Sequence, residues 1–218
     1  MNLSSKNRVL RKFDKMEYGD GFPFTSNSNK KKFIFIHIPK SAGTAIRSAL
    51  GELKEGRRHL PWWVYYNSSY RKYNEYFKFS FVRNPYERAE SAYKYLLSGG
   101  NQREDLEVSK VIQTYSSFYD FVKFGLYEGN MKSHPFFWDQ KDYLFDWRGK
   151  LKLDYLGHFE SLQRDFDIIC DRLGIYACQL EKINFSMSDG FSACQKSRKL
   201  LYEIYKNDFD TLGYDERE

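Results

Sequence analysis

Residues 32–50 read Lys-Phe-Ile-Phe-Ile-His-Ile-Pro-Lys-Ser-Ala-Gly-Thr-Ala-Ile-Arg-Ser-Ala-Leu. The stretch opens with a nearly unbroken run of aromatic and β-branched residues from Phe33 to Ile38, which is typical of a strand buried on both faces in a parallel sheet. Pro39 ends such a strand because it has no backbone N–H, and Gly43 allows a tight turn or a close backbone approach. After Gly43, apolar residues recur at helical spacing. The stretch therefore predicts a strand, a short loop and a helix.

The loop between this strand and this helix is predicted to bind an anion. The first N–H groups of a helix have no partner within the helix, and the helix dipole is positive there. Lys40 adds a cation at the edge of the loop. A loop for a nucleoside triphosphate would read Gly-x-x-x-x-Gly-Lys-Ser/Thr, whereas Lys40 here precedes Gly43 by three residues and no earlier glycine supports the loop. The spacing disfavours ATP or GTP, and an ordinary turn remains the alternative for this stretch taken alone.

Residues 77–97 repeat the same architecture. An aromatic-rich strand over 77–82 is followed by Arg83, and Pro85 suits the first turn of the next helix, where its missing N–H is harmless. Ser91 lies about two turns into that helix, so Arg83 and Ser91 can bind one phosphate from two sides. Ligands of open α/β sheets bind beyond the carboxyl ends of the strands. We therefore expect the two loops to meet at one edge of the sheet.

Two motifs within these stretches resemble the nucleotide-binding elements of sulfotransferases that use PAPS (3′-phosphoadenosine 5′-phosphosulfate). The first motif is His-Ile-Pro-Lys-Ser-Ala-Gly-Thr at 37–44, which we call the Lys40 loop. The second motif is Phe-Val-Arg-Asn-Pro-Tyr-Glu-Arg-Ala-Glu-Ser-Ala-Tyr at 81–93. The residues of the two motifs are most similar to those of the Golgi carbohydrate sulfotransferases of the heparan 2-O and chondroitin 4-O groups and of their bacterial relatives. The resemblance implies one P-loop-like α/β domain, with a central, mainly parallel sheet flanked by helices, over residues 31–218. Residues 1–30 are expected to form a polar leader.

The resemblance also implies which residues hold PAPS and its desulfated product PAP. The Lys40 loop would bind the 5′-phosphosulfate through Lys40, Ser41, Ala42, Gly43, Thr44 and Ala45. Arg83 and Ser91 would bind the 3′-phosphate. Ser186 falls in a polar loop where relatives close over the nucleotide. Lys40 would also act in catalysis, because negative charge grows on the leaving phosphate as the bond to sulfur breaks.

The catalytic base is expected at His59. In related carbohydrate sulfotransferases the base is reached in this part of the chain, and in the 2-O group it is a histidine. A surface or packing histidine is the alternative, because one histidine without a visible partner is weak evidence for a base. Residues 133–140, Ser-His-Pro-Phe-Phe-Trp-Asp-Gln, resemble a stretch that lines the acceptor cleft of the family. His134, Trp138 and Gln140 are the expected acceptor contacts, and a loop that packs its own aromatic rings is the alternative.

Composition limits the partners and the compartment. The formal net charge of +6 suits an anionic cofactor, although a solvated basic surface has the same charge, and no recognition motif supports nucleic acid. No metal is expected, because the transferring sulfuryl group carries little negative charge and acidic, His and Cys residues do not cluster. The leader has no apolar core of a signal peptide or membrane anchor, unlike the Golgi relatives. Cys170, Cys178 and Cys194 are read as free thiols. These features predict a cytoplasmic, bacterial-type enzyme.

The remaining elements are predicted from hydrophobic periodicity and turn residues. Helices are expected over Asp105–Thr114, Phe118–Phe124, Glu160–Leu173 and 194–208. Tyr143–Phe145 and Leu151–Leu156 read as two paired extended segments, the second of which would join the sheet.

The sequence thus predicts an O-sulfotransferase that moves the sulfuryl group of PAPS to a hydroxyl of a carbohydrate by in-line transfer. The carbohydrate could be a polysaccharide, an oligosaccharide or a glycolipid. Two alternatives are an ATP-dependent phosphotransferase on the same scaffold and a nucleotide-binding protein without catalysis. The sequence does not indicate the acceptor, the hydroxyl or the oligomeric state.

Overall fold

The centre of the fold is a sheet of three parallel strands. The structure, a computed structural model, describes residues 22–55, 58–180 and 194–216. The strands lie side by side in the order β1 (Phe33–Ile36), β2 (Phe77–Val82) and β3 (Tyr155–His158). Helices lie on both faces, which confirms the predicted α/β class with a parallel sheet.

Ten helices and several shorter turns surround this sheet in the described ranges. Before residue 100 the helices are α1 (Ser26–Lys31), α2 (Gly43–Ala49), α3 (Trp62–Ser68), α4 (Tyr70–Glu75) and α5 (Pro85–Leu97). After it they are α6 (Leu106–Ile112), α7 (Phe118–Asp120), α8 (Lys141–Leu144), α9 (Leu162–Leu173) and α10 (Gln195–Leu212). The 3₁₀ turns span Leu53–Glu55, Arg103–Asp105, Met131–Ser133, Pro135–Phe137 and Phe159–Ser161, and a π-helix at Phe121–Tyr127 follows α7.

Successive side chains along the strands point to opposite faces of the sheet, so the strands contribute to the core on both faces. Phe33, Phe35, Phe79 and Phe81 pack with α2 and α9 on one face, and the Phe35 and Phe79 rings stack with centroids 5.1 Å apart. Ile34 and its neighbours on the other face pack against α3, α4 and α8. Burying each such side chain contributes about 1.5–3 kcal/mol, so both faces resist displacement of β1 and β2. This packing fixes the ends of the two strands, from which the two predicted phosphate-binding loops emerge.

Most of the predicted elements are confirmed, and one is wrong. The helices at 106–112, 162–173 and 195–212 lie where periodicity placed them, and Gly174 caps the second in the left-handed conformation at φ 62°. Tyr143 and Leu144, predicted as extended, belong to α8. Only an isolated antiparallel bridge from Phe145 to Leu151 remains of the predicted pair of extended segments, and the third strand begins later, at Tyr155.

The predicted leader overlaps the described residues only at its end, where α1 occupies Ser26–Lys31. The division into leader and domain stays a prediction. Within residues 22–55, 58–180 and 194–216, no helix combines the length and the apolar character that crossing a bilayer requires.

Candidate active site

The Lys40 loop has an unusual backbone. Lys40 and Ala42 both adopt left-handed conformations, at φ 66° and φ 62°, which non-glycine residues rarely do. Ala42 precedes α2 as its N-cap residue and supplies no side-chain hydrogen bond to the first helical N–H groups. The first bond within the helix runs from the N–H of Ile46 to the carbonyl of Ala42. The N–H groups of Gly43, Thr44 and Ala45 therefore have no acceptor within the helix, as an anion-binding loop requires.

Gly43 is required by a neighbour rather than by its own backbone angle. A Cβ atom at this position would lie 1.7 Å from Nε2 of His37. The His37 ring is buried against the loop and stacks on Phe35 with centroids 5.6 Å apart. Only glycine leaves room for this ring beneath the start of α2. His37 thus shapes the loop, a role that was not predicted although the residue stands inside the first motif.

His59 is oriented by the end of β1. Its Nδ1 atom lies 3.0 Å from the backbone carbonyl oxygen of His37. A carbonyl can only accept, so Nδ1 carries the proton in this hydrogen bond and Nε2 keeps the lone pair of the neutral ring. The His59 and His37 rings pack with centroids 4.3 Å apart. The predicted base therefore lies beside the Lys40 loop, in the tautomer that accepts a proton at Nε2.

Phe136 brings several predicted residues together. The ring of His59 lies 5.8 Å from its centroid, and His134 stacks on it at 5.5 Å with an interplanar angle of 5°. Tyr95 approaches the same ring at 5.6 Å, and the ammonium of Lys40 lies 4.1 Å from the centroid of Tyr95. Lys40, His59 and His134 thus surround one aromatic cluster, although the sequence places them far apart.

Arg83 lies at the carboxyl end of β2, and its guanidinium is already engaged. Nη2 donates to Oε2 of Glu87 at 3.0 Å, one helical turn further on, and the group lies 4.1 Å from the Phe159 ring centroid. Ser91 follows Glu87 by another turn of α5 and is almost buried. Glu87 and Ser91 share a face of α5 because they are four residues apart, and Arg83, which precedes α5, reaches that face through its ion pair with Glu87. The two predicted phosphate contacts are therefore on one side of α5 with a carboxylate between them.

The other two predicted acceptor contacts point into the protein. Trp138 is 6 % exposed and donates its indole N–H to the carbonyl of Ser133 at 2.7 Å. Gln140 is fully buried, and its side-chain amide bonds to the backbone of Arg83. Of the three residues, His134 alone is part of the cluster around Phe136. An acceptor role for Trp138 and Gln140 finds no support in this placement, because their polar atoms are bonded to the protein.

Residues 136–141 are held by buried charges that sequence reasoning missed. Arg88 is fully buried and donates to the carbonyls of Phe136 and Trp138, at 3.1 and 2.6 Å. Asp208, on α10, accepts from the N–H groups of Gln140 and Lys141 at 2.8 and 3.0 Å. One signal was available for Arg88, which lies four residues before the inward-facing Ala92. No local pattern points to Asp208.

Burial shifts the protonation of this buried cluster. It raises the pKa of the Asp208 carboxyl to about 6, and the nearby charge of Asp139 adds to the effect. Lys132 pairs with Asp139 at 2.5 Å and lies 3.5 Å from the Tyr205 ring centroid. Burial lowers the pKa of Lys132, and the Asp139 carboxylate opposes that change. The cluster therefore contains groups of both signs of charge, next to the backbone of residues 136–141.

The sequence matches the family model described as "Sulfotransferase family" over residues 25–215, which is most of the chain. The chain belongs to the sulfotransferase family. Comparison with curated proteins and with solved structures finds no match. Membership in the sulfotransferase family identifies a transferase that acts on a hydroxyl-bearing acceptor, and such enzymes generally use PAPS.

The residues at the edge of the sheet fit the phosphates that a sulfotransferase must bind. The Lys40 loop offers an ammonium and N–H groups without acceptors in α2, and Arg83 offers a guanidinium. These donor types match phosphate oxygens. Ser186, the remaining predicted nucleotide contact, lies outside the described residues. Among the described residues, no group of three His, Cys, Asp or Glu side chains is arranged to hold a metal ion.

Proposed function

We propose that this sulfotransferase transfers the sulfuryl group of PAPS to a carbohydrate hydroxyl, with His59 as the general base. The observation that carries the proposal is the hydrogen bond from His59 Nδ1 to the carbonyl of His37. This bond fixes the orientation of the ring and leaves Nε2 as the nitrogen that would accept a proton. A base must reach the hydroxyl it deprotonates, and a fixed ring makes that reach reproducible.

Each residue would have a separate task. When bound, PAPS supplies an activated sulfuryl group on its 5′-phosphate. Lys40 and the N–H groups of Gly43, Thr44 and Ala45, with Ser41 and Ala42, would hold that phosphate and meet the charge that grows on it. Arg83 and Ser91 would bind the 3′-phosphate, which distinguishes PAPS from ATP. His59 would accept the hydroxyl proton at Nε2.

The proposed acceptor is a carbohydrate, as in the heparan 2-O and chondroitin 4-O groups. Support comes from the aromatic cluster of Phe136, Tyr95 and His134 next to His59. Sugar rings pack their C–H faces on aromatic rings, and their hydroxyls bond to imidazole nitrogens. His134 is the proposed acceptor contact here. A cytoplasmic location stays a prediction from the sequence.

The test is thermal stabilisation of the wild-type protein by PAP, with ATP and AMP as comparisons. A ligand at about one hundred times its dissociation constant adds roughly 2.7 kcal/mol of stability. We expect a rise in the melting temperature with PAP that exceeds the rise with ATP and is lost in Arg83→Ala. Arg148→Ala is the matched control, because Arg148 also lies against an aromatic ring, that of Trp147, but on a turn after α8.

Two outcomes would reject the proposal. An equal rise with ATP would favour a phosphotransferase. Stabilisation by PAP without transfer from labelled PAPS to any member of a broad polysaccharide and oligosaccharide panel would favour a nucleotide-binding protein without catalysis.

A further inference from the structure

Gln140 connects the two loops that are proposed to hold the cofactor's phosphates. Its Oε1 accepts the N–H of Arg83 at 3.0 Å, and its Nε2 donates to the carbonyl of the same residue at 2.8 Å. The hydroxyl of Ser41, in the Lys40 loop, lies 3.5 Å from the same Oε1. Arg83 and Ser41 precede Gln140 by 57 and 99 residues. One buried amide thus contacts the end of β2 and the loop that follows β1.

The backbone of Gln140 is itself fixed. The carboxylate of Asp208 accepts the N–H groups of Gln140 and Lys141, and Arg88 holds the carbonyl of Trp138 two residues before. Asp208, Arg88 and Gln140 are all fully buried. The side-chain amide of Gln140 therefore extends from a backbone that is held in place, so its contacts restrain the positions of Arg83 and Ser41.

The chemistry of this position suits an amide and few other groups. Bonding to both the N–H and the carbonyl of one residue requires a donor and an acceptor at a fixed separation, which Gln provides in a neutral side chain. An ionised Glu has acceptors only, and Met has no donor and only a weak thioether acceptor. If the Gln140 amide were removed, the N–H and the carbonyl of Arg83 would lose these hydrogen-bond partners, which costs stability.

We propose that Gln140 is a positioning residue that holds the 5′-phosphate and 3′-phosphate sites at the spacing of one nucleotide bisphosphate. The inference rests on the proposed function, because it needs both sites to bind the same ligand. A ligand with two phosphates gains from the second contact only if the two sites are held at a matching distance. A ligand with one phosphate needs only its own loop. Gln140 therefore contributes to the joint binding of two phosphates more than to either alone.

The experiment measures dissociation constants for PAP, AMP and adenosine 3′-phosphate by calorimetry. In Gln140→Met, which keeps the side-chain volume and removes both hydrogen bonds, we expect the affinity for PAP to fall about tenfold or more, as loss of one to two hydrogen bonds implies. The affinities for AMP and adenosine 3′-phosphate should change by less than about threefold, since each uses one loop. Gln140→Glu keeps an oxygen toward the Arg83 N–H and serves as the second variant, with the same ranking expected.

The matched control is Asn27→Asp. The amide of Asn27 donates to the carbonyls of Leu50 and Gly51 at the far end of α2, so this change also removes amide donors to the backbone. It should leave the three ligand affinities in their wild-type ratio even if the melting temperature falls.

The outcomes separate the two proposals. Equal losses of affinity for all three ligands in both Gln140 variants, or no loss of affinity for PAP, would overturn the positioning role of Gln140. In that case, binding of PAP by the wild-type protein would still support PAPS as the cofactor. A wild-type protein that does not bind PAP would overturn the proposed function and, with it, this role.

Discussion

The imidazole of His59 donates its Nδ1 proton to the backbone carbonyl of His37, 3.0 Å away, and packs its ring against the ring of the same residue. The same His37 side chain occupies the space beside Gly43 where a Cβ atom would lie. One residue at the end of β1 therefore orients the proposed base through its backbone and shapes the proposed phosphate loop through its side chain.

Replacing His59 should separate chemistry from binding. We expect His59→Ala to lower the rate of transfer from PAPS by about 10²–10⁴, the usual range for loss of a general base. Stabilisation by PAP should persist, because Lys40 and Arg83 remain. The measurement is kcat and KM on an acceptor found by panel screening, together with the melting temperature with PAP. His134→Ala is the comparison, and it should raise KM for the acceptor more than it lowers kcat. A transfer rate near wild type in His59→Ala would exclude His59 as the base.

Gly43→Ala should weaken PAP binding, and a second substitution should restore it. The added Cβ would lie 1.7 Å from Nε2 of His37, so the loop or the ring must shift. We expect at least a tenfold loss of PAP affinity, by analogy with other overpacked sites where the backbone moves. His37→Ala in the same chain removes the obstacle and should recover most of the affinity, as calorimetry can measure.

Gly149→Ala is the control for this pair of substitutions. Gly149 has φ 75° and open space around its Cα, so the change strains the backbone without touching the loop. Full PAP binding by Gly43→Ala, or no recovery in the double variant, would contradict the steric explanation.

Glu87→Gln should strengthen PAP binding. The Glu87 carboxylate pairs with the Arg83 guanidinium at 3.0 Å, so a 3′-phosphate at Arg83 would meet a second negative charge nearby. Half-exposed pairs of this kind are weak, and we expect the dissociation constant for PAP to fall about two- to fivefold, with a smaller effect at high salt. Glu107→Gln, which removes the partner of Lys110 on α6, should have no effect. Weaker PAP binding in Glu87→Gln would mean that Glu87 positions Arg83 instead.

The stability of the fold should decrease as the pH rises from about 4 to about 6. Burial raises the pKa of Asp208 from 3.8 to about 6, so the folded chain binds a proton there that the unfolded chain has released. Such a group contributes its stability below the unfolded pKa and loses it as the pH rises through the folded pKa. The full effect is on the order of a few kcal/mol. Urea denaturation across this range should show the decrease in wild type and a flatter profile in Asp208→Asn.

Asp165→Asn is the control with the opposite sign. Although burial acts to raise the pKa of Asp165, bonds from the His158 N–H, the Ser161 hydroxyl and the Arg164 guanidinium lower it overall. Its contribution is present above the unfolded pKa and is lost as the pH falls below about 4. A wild-type profile that rises between pH 4 and 6, or one unaltered by Asp208→Asn, would contradict the assignment to Asp208.

The strands and the longer helices could be predicted because their signals are local. The run at 33–36 is apolar on both faces, the run at 77–82 alternates three phenylalanines with Lys78 and Ser80, and α9 carries its own periodicity and its capping Gly174. The prediction for Tyr143–Phe145 was wrong for a tertiary reason. The first N–H group of α8 is accepted by Asp208, which lies 67 residues further along the chain. No window of sequence around Tyr143 contains that partner.

The residues of the candidate site could be named from the sequence, but their arrangement could not. Motif spacing led to Lys40 and Arg83, and the resemblance to carbohydrate sulfotransferases led to His59. The structure brings Lys40 and His59 around one aromatic cluster. The orientation of Gln140 could not be read from its neighbours, because an amide after an aromatic run suits a cleft as well as a core. The orientation of the Gln140 side chain is decided by the backbone N–H and carbonyl of Arg83, which the fold places beside it.

Phe136 sets a limit on how acceptor preference can change in this protein. Its ring is in contact with His59, His134 and Tyr95, and Tyr95 in turn supports Lys40. A larger or smaller side chain at 136 would move the proposed base and the proposed leaving-group contact together with the acceptor surface. Divergence toward new acceptors is therefore expected at positions other than 136, while the residue at 136 stays the same.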